Sequence, residues 1–244
     1  MTTLHATTHT IGTSVQGRPL RLTLLGAGQP PEAPLRVLYI GAFHGDEAIS
    51  ARLLEQFLAE CQKNPGQMPK LTGPIGILPM LNPDGVAANT RTNANGVDLN
   101  RNWPTQNWRQ NHEQPGSAYY GGAQPASEPE TQALLACIEQ LKPQIIVSIH
   151  SPYRVINYDG PAPQTLALAE AMAACNGYPV TASIGYPTPG SFGTWAGLEQ
   201  QIPTLTLELP DLNEPSPGYP ATPDALDARV WQENAPALMA CIAN

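Results

Sequence analysis

The chain has 244 residues, of which 41% are hydrophobic, and it carries 20 acidic and 12 basic side chains. This composition is typical of a globular protein, and the length suffices for one domain with a sizeable core, so we predict a single domain over residues 1–244. The net charge of −8 at pH 7 argues against nucleic acid and anionic membrane surfaces as partners, because both require a basic face on the protein.

Export signals and cysteine pairs are missing from the sequence. The opening residues, MTTLHATTHTIG, lack the basic start and apolar core of a secretion signal, and no apolar run reaches the length of a membrane span. We therefore expect a cytoplasmic protein with no membrane partner. The four cysteines, Cys61, Cys137, Cys175 and Cys241, are widely spaced without a CxxC pair, which indicates core thiols rather than disulfides or zinc ligands.

The predicted elements begin with a hairpin of two strands, residues 8–15 and 19–26, around the sequence QGRP. Later patterns predict strands at 35–41, 74–80, 144–150, 179–184 and 203–209, and helices at about 47–62, 128–141, 163–176 and 223–243. Strands that alternate with helices are typical of an α/β fold. We predict a mixed, mainly parallel sheet with helices on both faces and functional side chains at strand ends.

A polar stretch from residue 82 to 127, rich in Asn, Gly and Pro, precedes the helix at 128–141. A loop of this length inside a compact domain is usually functional or disordered. It ends in SEPE, where Ser127 and Glu130 have the spacing of a capping box, so we predict that these side chains cap the helix.

The sequence YIGAFHGDE, residues 39–47, places a histidine and two acids where a strand ends. One interpretation is a capped helix start, because acids in the first turn complement the helix dipole. The other is a zinc site, since the HxxE spacing of His44 and Glu47 lets both side chains reach one ion. A third ligand would then come from His150 at the end of a distant strand. The remaining histidines, His5, His9 and His112, are predicted to be solvated.

Charged and amide side chains gather in RTNANGVDLNRNW, residues 91–103. An Asn-Gly turn accounts for Asn95 and Gly96 but not for the charged residues around them. Arginine suits bidentate binding of a carboxylate, and basic residues are scarce in this chain. Arg91 and Arg101, together with a neighbouring amide, therefore indicate an anion clamp.

Glu208 interrupts the alternating apolar strand TLTLELP, residues 204–210. On the polar side of an edge strand this glutamate would simply be solvated. At the end of an inner strand it would be a candidate general base.

In this order, the clusters resemble the zinc carboxypeptidase superfamily from about residue 35 to 209. The matching motifs are HxxE at 44–47, NPDG at 82–85, GVDLNRN at 96–102, SEPET at 127–131, the strand-end His150, and the series Tyr186, Gly190, Ser191, Trp195 and Glu208. The resemblance implies a hydrolase with one zinc ion per chain. The implied zinc ligands are His44, Glu47 and His150, and the implied general base and acid is Glu208.

The resemblance also implies roles around the zinc ion. Arg91 would stabilise the oxyanion, although the loop before Asn100 is shorter than in digestive carboxypeptidases. Asn100 and Arg101 would bind the terminal carboxylate of the substrate, and Tyr186 would close over it. Asp98 would orient the first zinc histidine from outside the ligand shell.

Within the superfamily, the chain is most similar to the enzymes that hydrolyse the γ-D-glutamyl–meso-diaminopimelate bond of free murein peptides in cell-wall recycling. The resemblance therefore implies a small anionic murein tripeptide as substrate. Asp46 stands where digestive carboxypeptidases have an arginine, which implies different remote subsites. Candidates for contacts with diaminopimelate are Arg154, Asp211 and Glu214, each of which also fits a solvated loop charge.

Two other functions fit parts of the pattern. Aspartoacylases and succinylglutamate desuccinylases share the zinc scaffold, but they carry a further C-terminal β-rich domain, and this sequence ends one helix after Glu208. A non-enzymatic zinc-binding module would have a closed site with a fourth ligand. The presence of Glu208 and Arg91 beside the predicted ligands favours an enzyme over such a module.

Overall fold

The computed structural model describes residues 4–26, 33–109, 114–211, 219–220 and 222–243. Its strands are β1 (Ala6–Thr13), β2 (Pro19–Leu25), β3 (Val37–Ile40), β4 (Ile75–Leu78), β5 (Ile146–His150), β6 (Ile156–Asp159), β7 (Val180–Thr181) and β8 (Thr204–Glu208). Its α-helices are α1 (Ala48–Lys63), α2 (Pro83–Ala88), α3 (Pro129–Leu141), α4 (Gln164–Asn176) and α5 (Pro223–Ala243). Short 3₁₀ turns occur at Gly45–Glu47, Pro65–Gln67 and Leu99–Arg101, and Thr194–Glu199 forms a π-helix.

The strands form one sheet in the order β1-β2-β4-β3-β5-β8-β6-β7. Its centre, β4-β3-β5-β8, is parallel throughout. The hairpin β1-β2 joins one side of this centre in antiparallel pairing, and β6 joins the other side antiparallel to β8. The prediction of a mixed, mainly parallel sheet is confirmed.

Two apolar cores pack on opposite faces of the sheet, because side chains alternate along each strand. Val37 and Tyr39 of β3 belong to the core that α1, α4 and α5 cover. Leu38 and Ile40 of the same strand belong to the other core, which α3 covers. Tyr39 is fully buried in the first core, and its hydroxyl donates a hydrogen bond to the carbonyl of Leu238 in α5. The prediction of helices on both faces is therefore confirmed.

The parallel centre brings three strand ends to the same edge of the sheet. His150 ends β5, and Glu208 ends the neighbouring β8 as its register partner. His44 lies four residues beyond the end of β3, the other neighbour of β5. Side chains that are far apart in sequence therefore meet at this edge.

The predicted strands differ from the structure in two places. The sequence patterns miss β6, because its residues INYD alternate apolar and polar over only four positions. The predicted strand at 179–184 is reduced to the two residues of β7 at the edge of the sheet.

The polar stretch at 82–127 contains α2 and a 3₁₀ turn, and the capping box predicted at its end is wrong. The N-cap of α3 is Glu128, without a side-chain cap. Ser127 Oγ donates to the Glu128 carboxylate. Glu130 is fully buried and instead accepts hydrogen bonds from Val15 N and Asn93 Nδ2. It thereby ties the polar stretch and the β1–β2 turn to α3.

All four cysteines are free. Cys61, Cys137 and Cys241 are buried, as predicted, whereas Cys175 is exposed, so the core prediction is wrong for that residue. Among the described helices, none combines the length and apolar character that crossing a membrane requires.

Candidate active site

His44, Glu47 and His150 converge beyond the ends of β3 and β5. Their possible ligand atoms lie within 4.8 Å of one another, and all three side chains are buried. Glu47 Oε1 is 2.7 Å from His44 Nδ1, and Glu47 Oε2 is 3.1 Å from His150 Nδ1. The two Nδ1 atoms are 3.3 Å apart. Both imidazoles thus direct the same ring nitrogen toward one carboxylate.

This donor set fits a zinc ion. Two imidazoles and one carboxylate are the ligands of one common class of catalytic zinc site, which keeps a further position open. The Nε2 atom of His44 is 3.0 Å from Asp98 Oδ1. Because an ionised carboxylate only accepts hydrogen bonds, Nε2 carries the proton and Nδ1 of the neutral ring is left for a metal.

The charges in the cluster are coupled. Burial lowers the pKa of His44, but the negative charges of Glu47 and Asp98 outweigh burial, and the resulting pKa is about 9. Burial raises the pKa of Glu47, yet His44 and His150 outweigh burial and hold it well below its usual range. Burial lowers the pKa of His150. At neutral pH a metal ion therefore competes with one proton, on His44 Nδ1.

The HxxE turn is held in place by close backbone packing. A Cβ atom at Gly45 would lie 1.9 Å from the carbonyl carbon of Gly85, so the turn and α2 approach as only glycine permits. Asn82 caps α2 by accepting from Gly85 N, and its Nδ2 donates to the carbonyl of Phe43 beside the turn. The NPDG motif therefore packs against the HxxE turn and stabilises its conformation.

Asp98 links the predicted metal ligand His44 to Arg91. This carboxylate is fully buried, and its Oδ2 is 3.0 Å from Arg91 Nη2 while its Oδ1 faces His44. Burial alone would raise the pKa of Asp98, but His44 and Arg91 outweigh it and the pKa lies well below its usual range. Arg91 Nη1 is 3.7 Å from Glu47 Oε1, which places the guanidinium at the rim of the cluster.

Asn100 and Arg101 lie in the 3₁₀ turn that follows Asp98. Asn100 N donates to Asp98 Oδ1, and Asn100 Oδ1 accepts from Phe192 N at 2.9 Å. With its oxygen engaged, the Asn100 amide is left to donate through Nδ2. Arg101 is buried, and its guanidinium lies 5.4 Å from the ring centroid of Tyr119. The Arg91 guanidinium lies 5.5 Å from the same ring, so Tyr119 contacts both arginines.

Glu208, at the end of β8, faces the three predicted metal ligands. Its side chain is buried, and its Oε2 has no hydrogen-bond partner among the described residues. Burial and the negative charge of Glu47 raise the pKa of Glu208 to about 8. The solvated-glutamate interpretation is thus excluded, because β8 is an inner strand.

A cavity of about 150 Å³ opens beside Glu208. Asn100, Tyr186 and Glu208 line it together with polar side chains of the sheet. Tyr186 is 38% exposed; burial, and then a side-chain hydrogen bond with Tyr153, raise its pKa. Tyr153 is therefore a further candidate residue of the active site. The sequence motifs do not reveal it, because it belongs to none of them.

Other sequence candidates lie away from the cluster. His5 is exposed and His9 is half-buried on the outer strand β1, whereas His112 lies outside the described residues. Asp46 is exposed on the HxxE turn. Arg154 Nε donates to the hydroxyl of Tyr219, and its guanidinium stacks over Tyr178, so it has a structural role. Asp211 is half-buried and is not among the described residues that line the cavity, and Glu214 lies outside the described residues.

Comparison with family models matches residues 4–237 to the zinc carboxypeptidase family. Murein peptide amidase A of Vibrio campbellii is 34% identical over 219 residues, which cover 83% of this chain and 79% of that protein. Murein peptide amidase A of Escherichia coli K12 is 38% identical over 142 residues, which cover 54% of this chain and 57% of that protein.

A solved structure extends the similarity over the whole fold. The crystal structure of murein-tripeptide amidase from Escherichia coli O157 superposes with a TM-score of 0.75 at 28% identity. The alignment covers 100% of this chain and 98% of that one.

Proposed function

The chain belongs to the zinc carboxypeptidase family, and on this basis we propose that it hydrolyses the γ-D-glutamyl–meso-diaminopimelate bond of free murein peptides. The observation that carries the proposal is the buried Glu208 carboxylate, whose Oε2 has no partner among the described residues, beside the cluster of His44, Glu47 and His150. The similarity to murein peptide amidases of Vibrio campbellii and Escherichia coli supports the choice of substrate. We place this reaction in the recycling of cell-wall peptides.

We assign one zinc ion per chain to His44 Nδ1, His150 Nδ1 and the carboxylate of Glu47. When bound, zinc acts as a Lewis acid that polarises the scissile carbonyl and lowers the pKa of a water molecule. Asp98 holds the His44 ring in the tautomer that presents Nδ1. Loss of such a hydrogen bond typically lowers metal affinity about 10–100-fold.

Glu208 serves as general base and then as general acid. Its unpartnered Oε2 takes a proton from the attacking water and later delivers that proton to the nitrogen of the leaving residue. A group with both tasks needs a pKa near the working pH. In the metal-free site, burial and the charge of Glu47 raise the pKa of Glu208 to about 8, and the positive charge of a bound zinc ion would lower it toward the working pH.

The remaining polar side chains position the substrate and stabilise developing charge. Arg91 donates to the carbonyl oxygen as it becomes negative. Arg101 and the Nδ2 group of Asn100 bind the free carboxylate of the leaving residue, which restricts cleavage to a terminal position. Tyr186, exposed at the mouth of the cavity, closes over the bound peptide.

The test is turnover of L-Ala-γ-D-Glu-meso-diaminopimelate compared with ordinary α-linked tripeptides and with N-acetyl-aspartate, measured by mass spectrometry. The proposal predicts cleavage of the γ-D-glutamyl peptide with release of free diaminopimelate. Preference for an N-acyl amino acid would support an aspartoacylase-like hydrolase instead. Zinc binding without turnover of any of these compounds would support a non-enzymatic zinc-binding module.

A further inference from the structure

The floor of the cavity beside Glu208 is polar, although it lies on the central sheet. Ser148 of β5, Thr206 of β8 and Asn157 of β6 are register neighbours across three strands and face the same side. On the same face of β5, Ile146 still belongs to an apolar core. Interior strands of such sheets are usually apolar on both faces. This stripe of polar side chains therefore indicates a surface built to contact a polar ligand.

Asp159 ends β6 and adds a carboxylate to this floor. It is half-buried, and no described residue donates a hydrogen bond to its carboxylate or forms an ion pair with it. Burial, which no basic group offsets, raises the pKa of Asp159 from 3.8 to about 6. The protein thus holds an ionised, unpaired acid in a cavity at neutral pH, which costs stability unless a ligand supplies the partner.

The neighbouring π-helix segment leaves space for this carboxylate. A Cβ atom at Gly193 would lie 2.4 Å from Asp159 Oδ2, and one at Gly197 would lie 2.4 Å from Asp159 Cβ. Glycine at both positions therefore allows the segment to pack over Asp159 while its carboxylate remains at the cavity.

The distance from Glu208 to Asp159 suits a long side chain. Asp159 is the register partner of Thr204, four residues before Glu208 on β8, which corresponds to about 13 Å along the strand. A side chain with five bonds between Cα and a terminal nitrogen spans roughly 6 Å, and a hydrogen bond at each end adds about 3 Å. A leaving residue of this length reaches Asp159 while its α-nitrogen remains near Glu208.

We propose that Asp159 determines specificity by binding the terminal ammonium group of a diamino acid at the leaving position. This inference rests on the proposed function, because it assigns the leaving residue to the cavity beside Glu208. Asp159 does not touch the reacting atoms, so its contribution is selection of the leaving residue. Lysine and meso-diaminopimelate both carry the required ammonium group at the same reach, whereas norleucine has a similar shape without the charge.

The experiment compares the zinc-loaded wild type with Asp159→Asn on L-Ala-γ-D-Glu-X, where X is meso-diaminopimelate, lysine or norleucine. For the wild type we expect kcat/KM with lysine to exceed that with norleucine by at least about 30-fold. This ratio corresponds to the free energy of one charged contact. Asp159→Asn should bring this ratio close to one. Asp224→Asn, the same change at an exposed position of α5, should leave the ratio at the wild-type value. Asp159→Asn should lower kcat/KM for both diaminopimelate and lysine, because both carry the ammonium group at the same reach, and a loss with only one of them would contradict the assignment.

Two further measurements keep this inference separate from the proposed function. Calorimetry with free lysine and free norleucine tests the ammonium contact without turnover, and only the wild type should prefer lysine. The melting temperature of Asp159→Asn should be unchanged or higher, because ionisation of a buried acid with a raised pKa opposes folding at neutral pH.

Equal lysine-to-norleucine ratios in wild type and Asp159→Asn, in both turnover and binding, would overturn the role of Asp159 even if murein peptides are cleaved. Failure to cleave any γ-D-glutamyl peptide, combined with Asp159-dependent lysine binding, would overturn the murein function while the ammonium site stands.

Discussion

His150 and Glu208 are register partners at the carboxyl ends of the parallel strands β5 and β8, although they lie 58 positions apart in sequence. The pairing puts a buried imidazole next to a buried carboxylate with an unpartnered oxygen. In the proposed mechanism one strand end holds the metal and the next holds the base. The backbone hydrogen bonds of the sheet therefore set the distance between these two functions.

Asp98→Asn should weaken zinc binding. The Asp98 carboxylate fixes the tautomer of His44 and binds Arg91, so its loss removes both supports. We expect an affinity about 10–100-fold lower, measured by competition with a chromophoric chelator. Asp84→Asn is the matched control, because Asp84 is also buried but is bound by Ser14 and Arg18. Equal zinc affinity in Asp98→Asn and wild type would contradict the assignment.

Zinc binding should release one proton at neutral pH. The pKa of His44 is raised to about 9, so its ring is protonated below that pH and must lose a proton when Nδ1 binds metal. His150 has a lowered pKa and contributes no second proton. The apparent affinity should therefore fall about tenfold for each pH unit below about 9 and level off above it. Calorimetry of Glu208→Gln in buffers of different ionisation enthalpy measures the proton count without a contribution from Glu208, whose pKa is also raised, and a count of zero or two would refute this description.

Arg101→Ala should impair hydrolysis of peptides with a free terminal carboxylate far more than that of amidated analogues. Loss of a charge-assisted contact to a buried carboxylate costs about 2–5 kcal/mol. The comparison is kcat/KM for the free and amidated forms of one peptide. The control, Arg52→Ala, removes an exposed arginine that pairs with Asp227 at a distance from the cavity. An equal loss on both peptide forms would show that Arg101 supports the fold rather than binding the carboxylate.

The convergence of His44, Glu47 and His150 is predictable from the sequence, because these residues lie at or just beyond the ends of apolar strands. His44 follows the buried strand β3, and His150 is the last residue of the buried strand β5; parallel strands in an α/β sheet bring such ends together. Glu208 is equally visible as a charge inside an apolar alternation. These residues are recognisable because the surrounding strands obey a simple periodicity.

The cavity floor is not predictable in the same way. β6 places Asn157 and Asp159 on the cavity face, but its alternation of apolar and polar residues covers only four positions, which is too short to mark a strand in the sequence. The predicted capping box at Ser127 fails for a related reason: Glu130 is engaged by Val15 N and Asn93 Nδ2, so tertiary contacts replace the local cap. In both cases long-range partners decide what the side chains do.

The most direct test of the central claim is Glu208→Gln, assayed for both zinc content and turnover of the murein tripeptide. We predict one zinc ion per chain, as in wild type, because Glu208 is not a proposed ligand. Turnover should fall about 10²–10⁴-fold, because glutamine cannot take the proton from water. His150→Ala should instead lose the zinc ion together with activity. Full turnover in Glu208→Gln, or loss of its zinc, would contradict a site in which His44, Glu47 and His150 hold the metal and Glu208 moves the proton.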